Sequence, residues 1–313
     1  MAANLSMYKK KAMTQMCLAR DLFLTDIGEK IPTINEYTED LGVSRGIVQN
    51  ALDYLEEDGS IVVEKRGVLG TFLIARDDEK LYSHTGWGAI SGSMPIPLAP
   101  YFTSLATAVC EVLAEAPVEF SFAYMSGSVK RIEALSSGVY DFVVLSGSAA
   151  RAHLEEHPEL AICTELTGAQ YCREYMLFFT DPSKKEIEDG MRIGVDPVCM
   201  DQKVLTDILC EGKDVEIVEF PFIGFGDIIR SGRIDCAVFR SISPEQELER
   251  LNLNCVPLEG IEGFEKEKTN TPVVVVRKDN YGIDRLIKKY LDTEKAGTIQ
   301  REVLDGCRAM KFY

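Results

Sequence analysis

Histidine and tryptophan are scarce in this chain of 313 residues, which contains three histidines and one tryptophan. So few imidazole groups leave little general acid–base chemistry, and the sequence holds no nucleotide-binding loop, nucleophile elbow or Ser/His/Asp arrangement. His153 and His157 match the H-x-x-E-H pattern of some zinc proteases, but Pro158 follows at once and His84 is the only other histidine. We therefore expect no catalytic residue, no metal and no cofactor, and thus a protein that is not an enzyme.

The chain also lacks C-x-x-C pairs, an excess of basic residues and long apolar runs. Its nine cysteines are an odd number. Those in apolar segments, such as Cys110 and Cys236, are typical of small buried residues in a reducing compartment. No segment reaches the roughly 20 apolar residues of a membrane span, and the N-terminus lacks a signal-peptide pattern, so we expect a cytoplasmic protein without membrane contact. The net charge of −16 excludes a protein that coats nucleic acid through its overall charge.

Residues 31–74 predict a small DNA-binding motif. Thr33 and Glu36 have the spacing of a capping box at a helix start, and Gly42 suits the left-handed residue that ends a short helix. Ser44 caps a second helix, and two helices joined by so short a turn form a helix-turn-helix. The apolar stripe of the second helix has a period near 3.6 and comprises Ile47, Val48, Ala51, Leu52 and Leu55.

A hairpin follows the second helix and completes a winged helix-turn-helix. Asp58-Gly59 ends the helix, and Ile61–Lys65 and Thr71–Ile74 predict two strands around the turn at 66–70. Residues 1–76 contain nine basic against eleven acidic residues, and the remainder contains 25 against 39. DNA contact therefore depends on a local basic patch in the N-terminal part, and the acidic remainder should lie away from the phosphates.

The stretch IPTINEYTEDLGVSRGIVQNALDYLEEDG, followed by GTFL, resembles the DNA-binding domain of GntR-type bacterial transcription regulators. In that family the serine and arginine of an SR-x-x-V stretch, here Ser44 and Arg45, open the recognition helix and face DNA. The wing glycine of the family is Gly70 here. The sequence departs from the family at Gly46, where a hydroxyl residue is usual, and in its more apolar wing. The candidate DNA-binding residues are Thr33, Ser44, Arg45, Gly46, Gln49, Asn50, Lys65, Arg66 and Gly70.

From residue 87 onwards, short apolar runs alternate with segments of helix length in two series. This alternation predicts parallel strands joined by crossover helices, an α/β fold. The two series share a fragment, SGVYDFVVL at Ser137 and SGRIDCAVF at Ser231, in which a glycine closes a helix and an aspartate precedes a buried strand. The predicted strands are 118–123, 142–145, 175–179, 191–195, 215–220, 236–239 and 272–277. The predicted helices are 5–27, 96–114, 129–135, 204–210, 228–231, 283–291 and 295–304.

This repetition predicts two similar α/β lobes, an arrangement that resembles the type 2 periplasmic-binding-protein fold, also used as the effector domain of LysR-type regulators. Joined to a GntR-like head, it resembles the YhfZ-type regulators over nearly the full length of the chain. We divide the chain into a winged helix-turn-helix DNA-binding domain at 1–76, a linker at 77–86 and a two-lobed effector-binding domain at 87–313. Lobe I comprises about 87–179 and 273–313, and lobe II about 180–272.

Ligands bind an open α/β sheet outside the carboxyl ends of its strands, so two lobes should bind a ligand in the cleft between them. Three turns of the first lobe read Ser-Gly-Ser. Each is predicted to follow a strand and precede a helix, where free amides and the helix dipole attract an anion such as a carboxylate or phosphate; serine and glycine are also ordinary turn residues. The candidate effector-binding residues are Ser91, Gly92, Ser93, Ser126, Gly127, Ser128, Ser146, Gly147, Ser148, Asp196, Phe225, Gly226 and Arg240.

We interpret the chain as a ligand-responsive bacterial transcription regulator. Its expected partners are operator DNA, a small anionic effector, and a second copy of itself, because one recognition helix covers only a half-site. Two alternatives stay open. A close pair of titratable groups with perturbed pKa values would favour an enzyme on the two-lobed fold. A cleft filled by bulky side chains would favour a regulator whose C-terminal domain only dimerises or binds a protein partner.

Overall fold

The computed structural model describes residues 2–221, 225–240, 253–258 and 269–311, which form two compact units. Unit 1 comprises the residues up to Ala89 together with Asn280–Lys289. Unit 2 comprises Ile90–Asp279 and Tyr290–Tyr313. The chain therefore passes between the units three times. The domain limits drawn from the sequence follow motifs and composition, and they stay a prediction.

The helices and strands are named here in chain order. The first part of the chain contains α1 (Ala2–Leu24), β1 (Lys30–Ile31), α2 (Ile34–Leu41), α3 (Arg45–Glu57), β2 (Ile61–Lys65), β3 (Thr71–Arg76), α4 (Asp78–His84), β4 (Ile90–Met94), α5 (Pro100–Leu113), β5 (Phe120–Tyr124), α6 (Ser128–Ser136), β6 (Phe142–Ser146), α7 (Gly147–Glu156) and β7 (Leu160–Glu165). The second part contains β8 (Tyr175–Phe179), β9 (Arg192–Val195), α8 (Met200–Leu209), β10 (Glu216–Glu219), α9 (Phe225–Arg230), β11 (Cys236–Arg240), β12 (Asn254–Pro257), β13 (Pro272–Arg277), α10 (Ile283–Tyr290) and α11 (Thr293–Leu304).

The winged helix-turn-helix predicted from the sequence is confirmed in unit 1. Thr33 and Glu36 form the reciprocal capping box of α2, and Gly42 ends that helix at φ +61° in the left-handed region. Four of the five predicted stripe residues of α3 are buried, and Ile47 is half-buried. The wing hairpin β2–β3 is extended by the short strand β1, which pairs with β3 and was not predicted because two residues carry no alternation.

The segment expected to be a linker, 77–86, contains helix α4 instead. The side chain of Asp77 accepts a hydrogen bond from the amide of Lys80 and caps the helix, and Leu81 is completely buried. The segment is mostly polar and was therefore expected to be a linker. Its one buried leucine is enough to pack this helix of two turns against the rest of the unit. The helix expected at 5–27 runs from Ala2 to Leu24.

Helix α10, far along the sequence, belongs to unit 1 except for its last residue. Its buried residues Ile283, Leu286 and Ile287 form one apolar face. Just before it, the carbonyl of Tyr281 accepts a hydrogen bond from Nη1 of Arg20 at 3.0 Å. The helix itself was predicted. The sequence reasoning placed it in lobe I, because nothing in its pattern shows which core its apolar face enters.

Unit 2 contains two five-stranded sheets among the described residues, in the orders β5-β4-β6-β13-β7 and β10-β9-β11-β8-β12. Strand β4 pairs in parallel with β5 and β6, and β9 pairs in parallel with β10 and β11, as the alternation predicted. Strands β13 and β8 run antiparallel to β6 and β11. Each lobe is therefore a mostly parallel α/β layer completed by antiparallel strands.

The strand β8 corrects the limit between the lobes. It lies in the second sheet, between β11 and β12, whereas the sequence reasoning assigned residues up to 179 to lobe I. All five of its residues are buried, which fits an interior position in a sheet. Strands β7 and β12 were not predicted, because their residues are only partly buried and mix polar with apolar side chains.

The repeated sequence fragment corresponds to a repeated hydrogen bond. In the first lobe Oδ2 of Asp141 accepts the amide of Ser91 at 2.9 Å. In the second lobe Oδ2 of Asp235 accepts the amide of Arg192 at 2.7 Å. Each aspartate thus fixes the start of a parallel strand beside its own strand. Within the described part of the chain, no helix is both long and apolar enough to cross a membrane.

Candidate functional site

A cavity of about 190 Å³ lies in unit 2 at the carboxyl ends of the parallel strands. One side is formed by the segment from Pro95 to Phe102, after β4, and by residues 125–128, after β5. Asp196, directly after β9, and Arg240, the last residue of β11, contribute from the second sheet. The strand ends of both sheets therefore meet at one cavity, which is where an open α/β fold binds ligands.

Arg131 on α6 lines the cavity and is only 2% exposed. Its Nη1 donates to the backbone oxygen of Met125 at 2.6 Å, and its Nη2 donates to the hydroxyl of Tyr171 at 3.0 Å. Both acceptors are neutral, and its Nε has no hydrogen-bond partner. No carboxylate of the described residues forms an ion pair with it. Burying a cation without a counter-charge is costly, so Arg131 leaves an uncompensated positive charge at the cavity.

Arg240 lies in a different environment on the same cavity. The central carbon of its guanidinium is 4.6 Å from the ring centroid of Phe102 and 5.7 Å from that of Tyr171. The carboxylate of Asp201 attracts this guanidinium electrostatically. Arg240 therefore has an attracting carboxylate nearby, and the cation also lies against two aromatic rings.

Hydrogen bonds join the two lobes directly beside the cavity. The hydroxyl of Ser128, in the first lobe, accepts the amide of Met200 at 3.1 Å. The hydroxyl of Ser146, at the end of β6, donates to Oδ1 of Asp201 at 2.5 Å. Both aspartate and serine are buried, so this contact is shielded from water and strengthened by the low local dielectric.

The turn before α6 also approaches the second lobe through its backbone. Gly127 has φ +79°, and a Cβ atom there would lie 2.6 Å from the carbonyl oxygen of Val198. The amide of Val129 donates to that same oxygen at 3.3 Å. Glycine is required at this position both for its φ angle and for the close approach of the two backbones.

His153 on α7 is buried and forms a hydrogen bond with Ser128. Its Nε2 lies 3.1 Å from the serine hydroxyl. Burial, aided by the nearby His157, lowers the pKa of His153 to about 4, so the imidazole is neutral at neutral pH. The Ser128–His153 hydrogen bond runs from the hydroxyl to Nε2 in one imidazole tautomer and from Nε2–H to the hydroxyl oxygen in the other.

Five of the thirteen candidate effector-binding residues line the cavity, and they come from both lobes. They are Ser126, Gly127, Ser128, Asp196 and Arg240. The structure thus brings together one of the three Ser-Gly-Ser turns with the two charged residues predicted from the second lobe. Their role in binding an effector stays a prediction.

The first Ser-Gly-Ser tripeptide is not a turn, and that expectation is wrong. Ser91, Gly92 and Ser93 lie inside strand β4. A Cβ atom on Gly92 would lie 2.2 Å from the ring of Phe142, so glycine is needed there for packing between neighbouring strands. The hydroxyl of Ser91 donates to Asp141 at 3.0 Å. The tripeptide is outside the cavity lining.

The remaining candidates start helices. Ser146 is the N-cap of α7, with its hydroxyl accepting the amide of Ala149, and residues 146–148 are not part of the cavity lining described above. Phe225 and Gly226 begin α9, and their side chains lie outside what the structure describes.

Sequence reasoning missed Arg131, Phe102, Tyr171 and Asp201 as cavity residues. A signal existed for Arg131, because it follows Ser128 by three residues on a predicted helix and thus shares its face. No comparable signal marked Tyr171. It lies between β7 and β8, outside any regular element.

The candidate DNA-reading surface is the N-terminal half of α3. Arg45, Gly46 and Asn50 are exposed, as is Ser44, which makes no side-chain cap. Nε2 of Gln49 donates to Oδ1 of Asp53 at 2.7 Å, so this amide is partly engaged within the helix. The exposed residues of this surface are accessible to solvent, and their role in reading DNA stays a prediction.

The wing presents apolar residues at its tip. Val68 is fully exposed and Leu69 is 62% exposed, whereas Arg66 is paired with Glu64 and lies over Phe72 at 4.5 Å. Among the other candidates, Lys65 is exposed and Gly70 has φ +104°. The Thr33 hydroxyl is used as the cap of α2. The DNA-contact roles of all these residues stay predictions.

Two family models together match most of the chain. The model described as the YhfZ C-terminal domain matches residues 77–312, and one described as a helix-turn-helix domain matches residues 26–73. "Uncharacterized protein YhfZ" of Escherichia coli (strain K12) is 30% identical over 298 residues, which are 95% of this chain and 96% of that protein. The chain belongs to the YhfZ family.

Solved structures agree with this assignment to the YhfZ family. The crystal structure of YhfZ from Shigella flexneri matches with a TM-score of 0.62 and 26% identity over 75% of this chain and 97% of that chain. An ancestral arginine-binding protein bound to arginine matches with a TM-score of 0.51 and 16% identity over 70% of this chain and 98% of that chain; this likeness concerns the fold alone. The fold is a helix-turn-helix unit with a two-lobed, periplasmic-binding-protein-like domain, and the helix-turn-helix together with the YhfZ relationship supports a DNA-binding regulator.

Proposed function

We propose that this protein is a transcription regulator that is controlled by a small anion bound in the cavity of unit 2. The observation that carries the proposal is Arg131, a buried guanidinium at the cavity that has neutral hydrogen-bond partners and an unsatisfied Nε. An anion would supply the missing counter-charge. Ser126 and Ser128 line the same side of the cavity, where the N-terminus of α6 adds a positive partial charge.

We infer that α3 reads operator DNA and that the protein binds as a homodimer in the cytoplasm. The exposed residues Arg45 and Asn50 lie on the N-terminal part of the helix, the part that contacts base edges in helix-turn-helix complexes. One such helix spans a half-site, so a second copy provides the affinity of a full operator. Selection of bound duplexes from a random library should return a repeated half-site.

We propose a route of regulation that uses the path of the chain. After β13 the chain leaves unit 2, contributes residues 280–289 to unit 1, and returns to unit 2 at Tyr290. Helix α10 is therefore part of the DNA-binding unit while both of its ends are covalently joined to the ligand-binding unit. Because the backbone runs from β13 through α10 to α11, a ligand-dependent change in the position of β13 or α11 would move α10 directly.

Two features of the cavity favour ligand binding over the alternatives. A domain that only dimerises or binds protein would have its cleft filled by side chains, whereas a volume of about 190 Å³ is open here. The charged side chains of the lining already serve as structural contacts, for example Asp201 with Ser146, which suits binding better than catalysis.

The test uses the full-length protein and four sodium salts: acetate, benzoate, succinate and inorganic phosphate. A ligand that binds only the folded state stabilises it by about 2.7 kcal/mol at a hundredfold excess over Kd, so at least one anion should raise Tm. Arg131→Met should abolish the rise. Lys130→Met removes the same charge from the exposed neighbouring position and should retain it. The absence of any anion effect, or an equal effect in Arg131→Met, would contradict the proposal.

A further inference from the structure

The two carboxylates that line the cavity are already used by the protein. Oδ1 of Asp196 accepts the amide of Val198 at 3.1 Å, and the residue is 2% exposed. Asp201 accepts the Ser146 hydroxyl and attracts the guanidinium of Arg240. Neither carboxylate is set up to receive a cationic group of a ligand. A third arginine of the lining, Arg173, is largely exposed and paired with Glu174 at 3.6 Å. Arg131 is therefore the buried guanidinium of the lining whose hydrogen-bond partners are both neutral.

In contrast to these charged residues, the segment that follows β4 presents an apolar surface to the cavity. From Pro95 to Phe102 the residues that line the cavity are apolar apart from the hydroxyl of Tyr101. The ring of Phe102 lies near both the guanidinium of Arg240, at 4.6 Å, and the ring of Tyr171, whose centroid lies at 5.1 Å. This wall offers contact area to an apolar group and few partners for a polar one.

The size of the cavity limits the ligand. An engineered apolar cavity of roughly 150 Å³ holds a benzene molecule. The cavity here, about 190 Å³, has room for a ring or a branched chain of similar size with one additional carboxylate. A larger metabolite such as a nucleotide would not fit without movement of the lobes, which are joined by the Ser128–Met200 and Ser146–Asp201 contacts.

We propose that the effector is a small monocarboxylate with an aromatic or branched aliphatic body and without an ammonium group. This inference rests on the function proposed above. The carboxylate binds at Arg131, and the body lies against the wall between Pro95 and Phe102. An ammonium group would meet three guanidinium cations and two carboxylates that already have partners within the protein, so its desolvation would be uncompensated. The second charge of a dianion would not find another guanidinium without a nearby carboxylate, because Arg173 is paired with Glu174 and Asp201 attracts Arg240.

Matched probes separate these features by isothermal titration calorimetry on the full-length protein. The compound 4-methylpentanoate is leucine without its ammonium group, and 4-methylpentanamide is the same molecule without its charge. Benzoate tests an aromatic body. We expect both monocarboxylates to bind at least tenfold more tightly than leucine or the amide. Binding should be lost in Arg131→Met and retained in Lys130→Met.

A second variant addresses the apolar wall. Phe102→Ser removes the ring but leaves Arg131 and its two hydrogen bonds in place, and it should weaken both monocarboxylates at least tenfold. Circular dichroism and the melting curve of the unliganded variant establish that it folds. Arg131→Lys, which keeps the positive charge without the fork of donors, should retain part of the affinity that Arg131→Met loses.

The outcomes distinguish this inference from the function on which it rests. If inorganic phosphate or succinate binds in an Arg131-dependent manner and the monocarboxylates do not, the cavity is an anion site and the ligand class is wrong. Leucine binding as tightly as 4-methylpentanoate would likewise overturn the class while leaving a ligand-controlled regulator. If none of the probes binds, both the class and the proposed anion site are overturned.

Discussion

Arg285 forms an ion pair with Asp21, whose side chain is only 4% exposed. The same carboxylate accepts a hydrogen bond from the hydroxyl of Tyr37 at 2.5 Å. Arg285 lies on α10, Asp21 on α1 and Tyr37 on the first helix of the helix-turn-helix. One buried carboxylate therefore connects the C-terminal helix of unit 1 with the DNA-binding motif, across a sequence distance of more than two hundred residues.

We expect Arg285→Met to destabilise unit 1. Asp21 would keep Tyr37 but lose its counter-charge. The guanidinium is 45% exposed, so the loss should fall between the roughly 0–1 kcal/mol of an exposed pair and the roughly 3–5 kcal/mol of breaking a buried one. The single tryptophan, Trp87, lies in unit 1 and is 9% exposed, so its fluorescence during denaturation follows this unit.

Lys288→Met provides the control on the same helix. Lys288 pairs with Asp284 at 3.7 Å, and both side chains are about half exposed. Such an i,i+4 pair contributes only about 0.3–0.5 kcal/mol. Equal destabilisation by Arg285→Met and Lys288→Met would show that the ion pair with Asp21 does not stabilise the packing of α10 against the DNA-binding motif.

Local patterns in the sequence predicted unit 1 well but could not assign α10 to it. The capping box at Thr33, the glycine stop at Gly42 and the stripe of α3 are all encoded within one or two helical turns, so single-sequence reasoning can find them. The partner of Arg285 is encoded by its position in space, and an arginine on a helix looks the same whether it pairs with Asp21 or with water.

The hydroxyl of Ser128 leads to a second prediction. From the sequence, this residue could be either a ligand contact or a helix cap. The structure shows a third role, because the hydroxyl joins the Met200 amide to His153 and makes no side-chain cap on α6. Ser128→Ala should therefore lower the stability of the unliganded protein by about 1–3 kcal/mol, the usual cost of leaving buried groups unpaired.

Ser137→Ala is a suitable comparison for that substitution. Ser137 ends the same helix, and its exposed hydroxyl donates to the carbonyl of Ala134. Its removal should change stability by no more than about 0.5 kcal/mol, as for most surface substitutions. Melting curves of the two variants that coincide would count against a tie between the lobes at Ser128.

The cavity was predicted only at the level of the fold. The rule that ligands bind at the carboxyl ends of parallel strands located the turn at residues 126–128 and the charged residues Asp196 and Arg240. It failed for residues 91–93, because a strand rich in small residues looks like a turn when the large residue that covers it, Phe142, is fifty positions away. Tyr171 and Phe102 form part of the cavity only because unrelated segments meet there.

The buried imidazole of His153 gives the third prediction, a dependence of stability on pH. Its pKa in the folded protein is about 4, below the ordinary value of 6.5, so the unfolded chain binds this proton more tightly. The contribution of His153 is complete above pH 6.5 and is lost as the pH falls from 6.5 to about 4. At 1.36 kcal/mol per pKa unit, the loss is about 3 kcal/mol.

His153→Gln removes the titratable imidazole and leaves a side-chain amide that can form a hydrogen bond with the Ser128 hydroxyl. Between pH 7 and pH 4, wild type should lose about 3 kcal/mol more stability than this variant. His157→Gln changes a half-buried histidine that is paired with Glu159. Because His157 itself lowers the pKa of His153, this variant should lose less stability than wild type over the same range but more than His153→Gln. A His153→Gln curve parallel to wild type through this range would show that the pKa of His153 is the same in the folded and unfolded states.

The fourth prediction compares two arginines of the DNA-binding unit. Arg45 is exposed at the start of α3, where a guanidinium can reach a guanine edge in the major groove. Arg66, on the wing, is held by Glu64 and lies over Phe72. Arg45→Ala should cost about 1–3 kcal/mol at an operator selected from a random library and relax the preference at one base pair per half-site.

Arg66→Ala should weaken binding to all sequences alike, and by less, because its charge is already partly neutralised by the neighbouring glutamate. Fluorescence anisotropy at several salt concentrations measures both effects, since loss of a phosphate contact reduces the salt slope and loss of a base contact alone does not. Unchanged operator affinity and preference in Arg45→Ala would show that α3 is not the reading helix. A larger loss in Arg66→Ala than in Arg45→Ala would assign the main DNA contact to the wing instead.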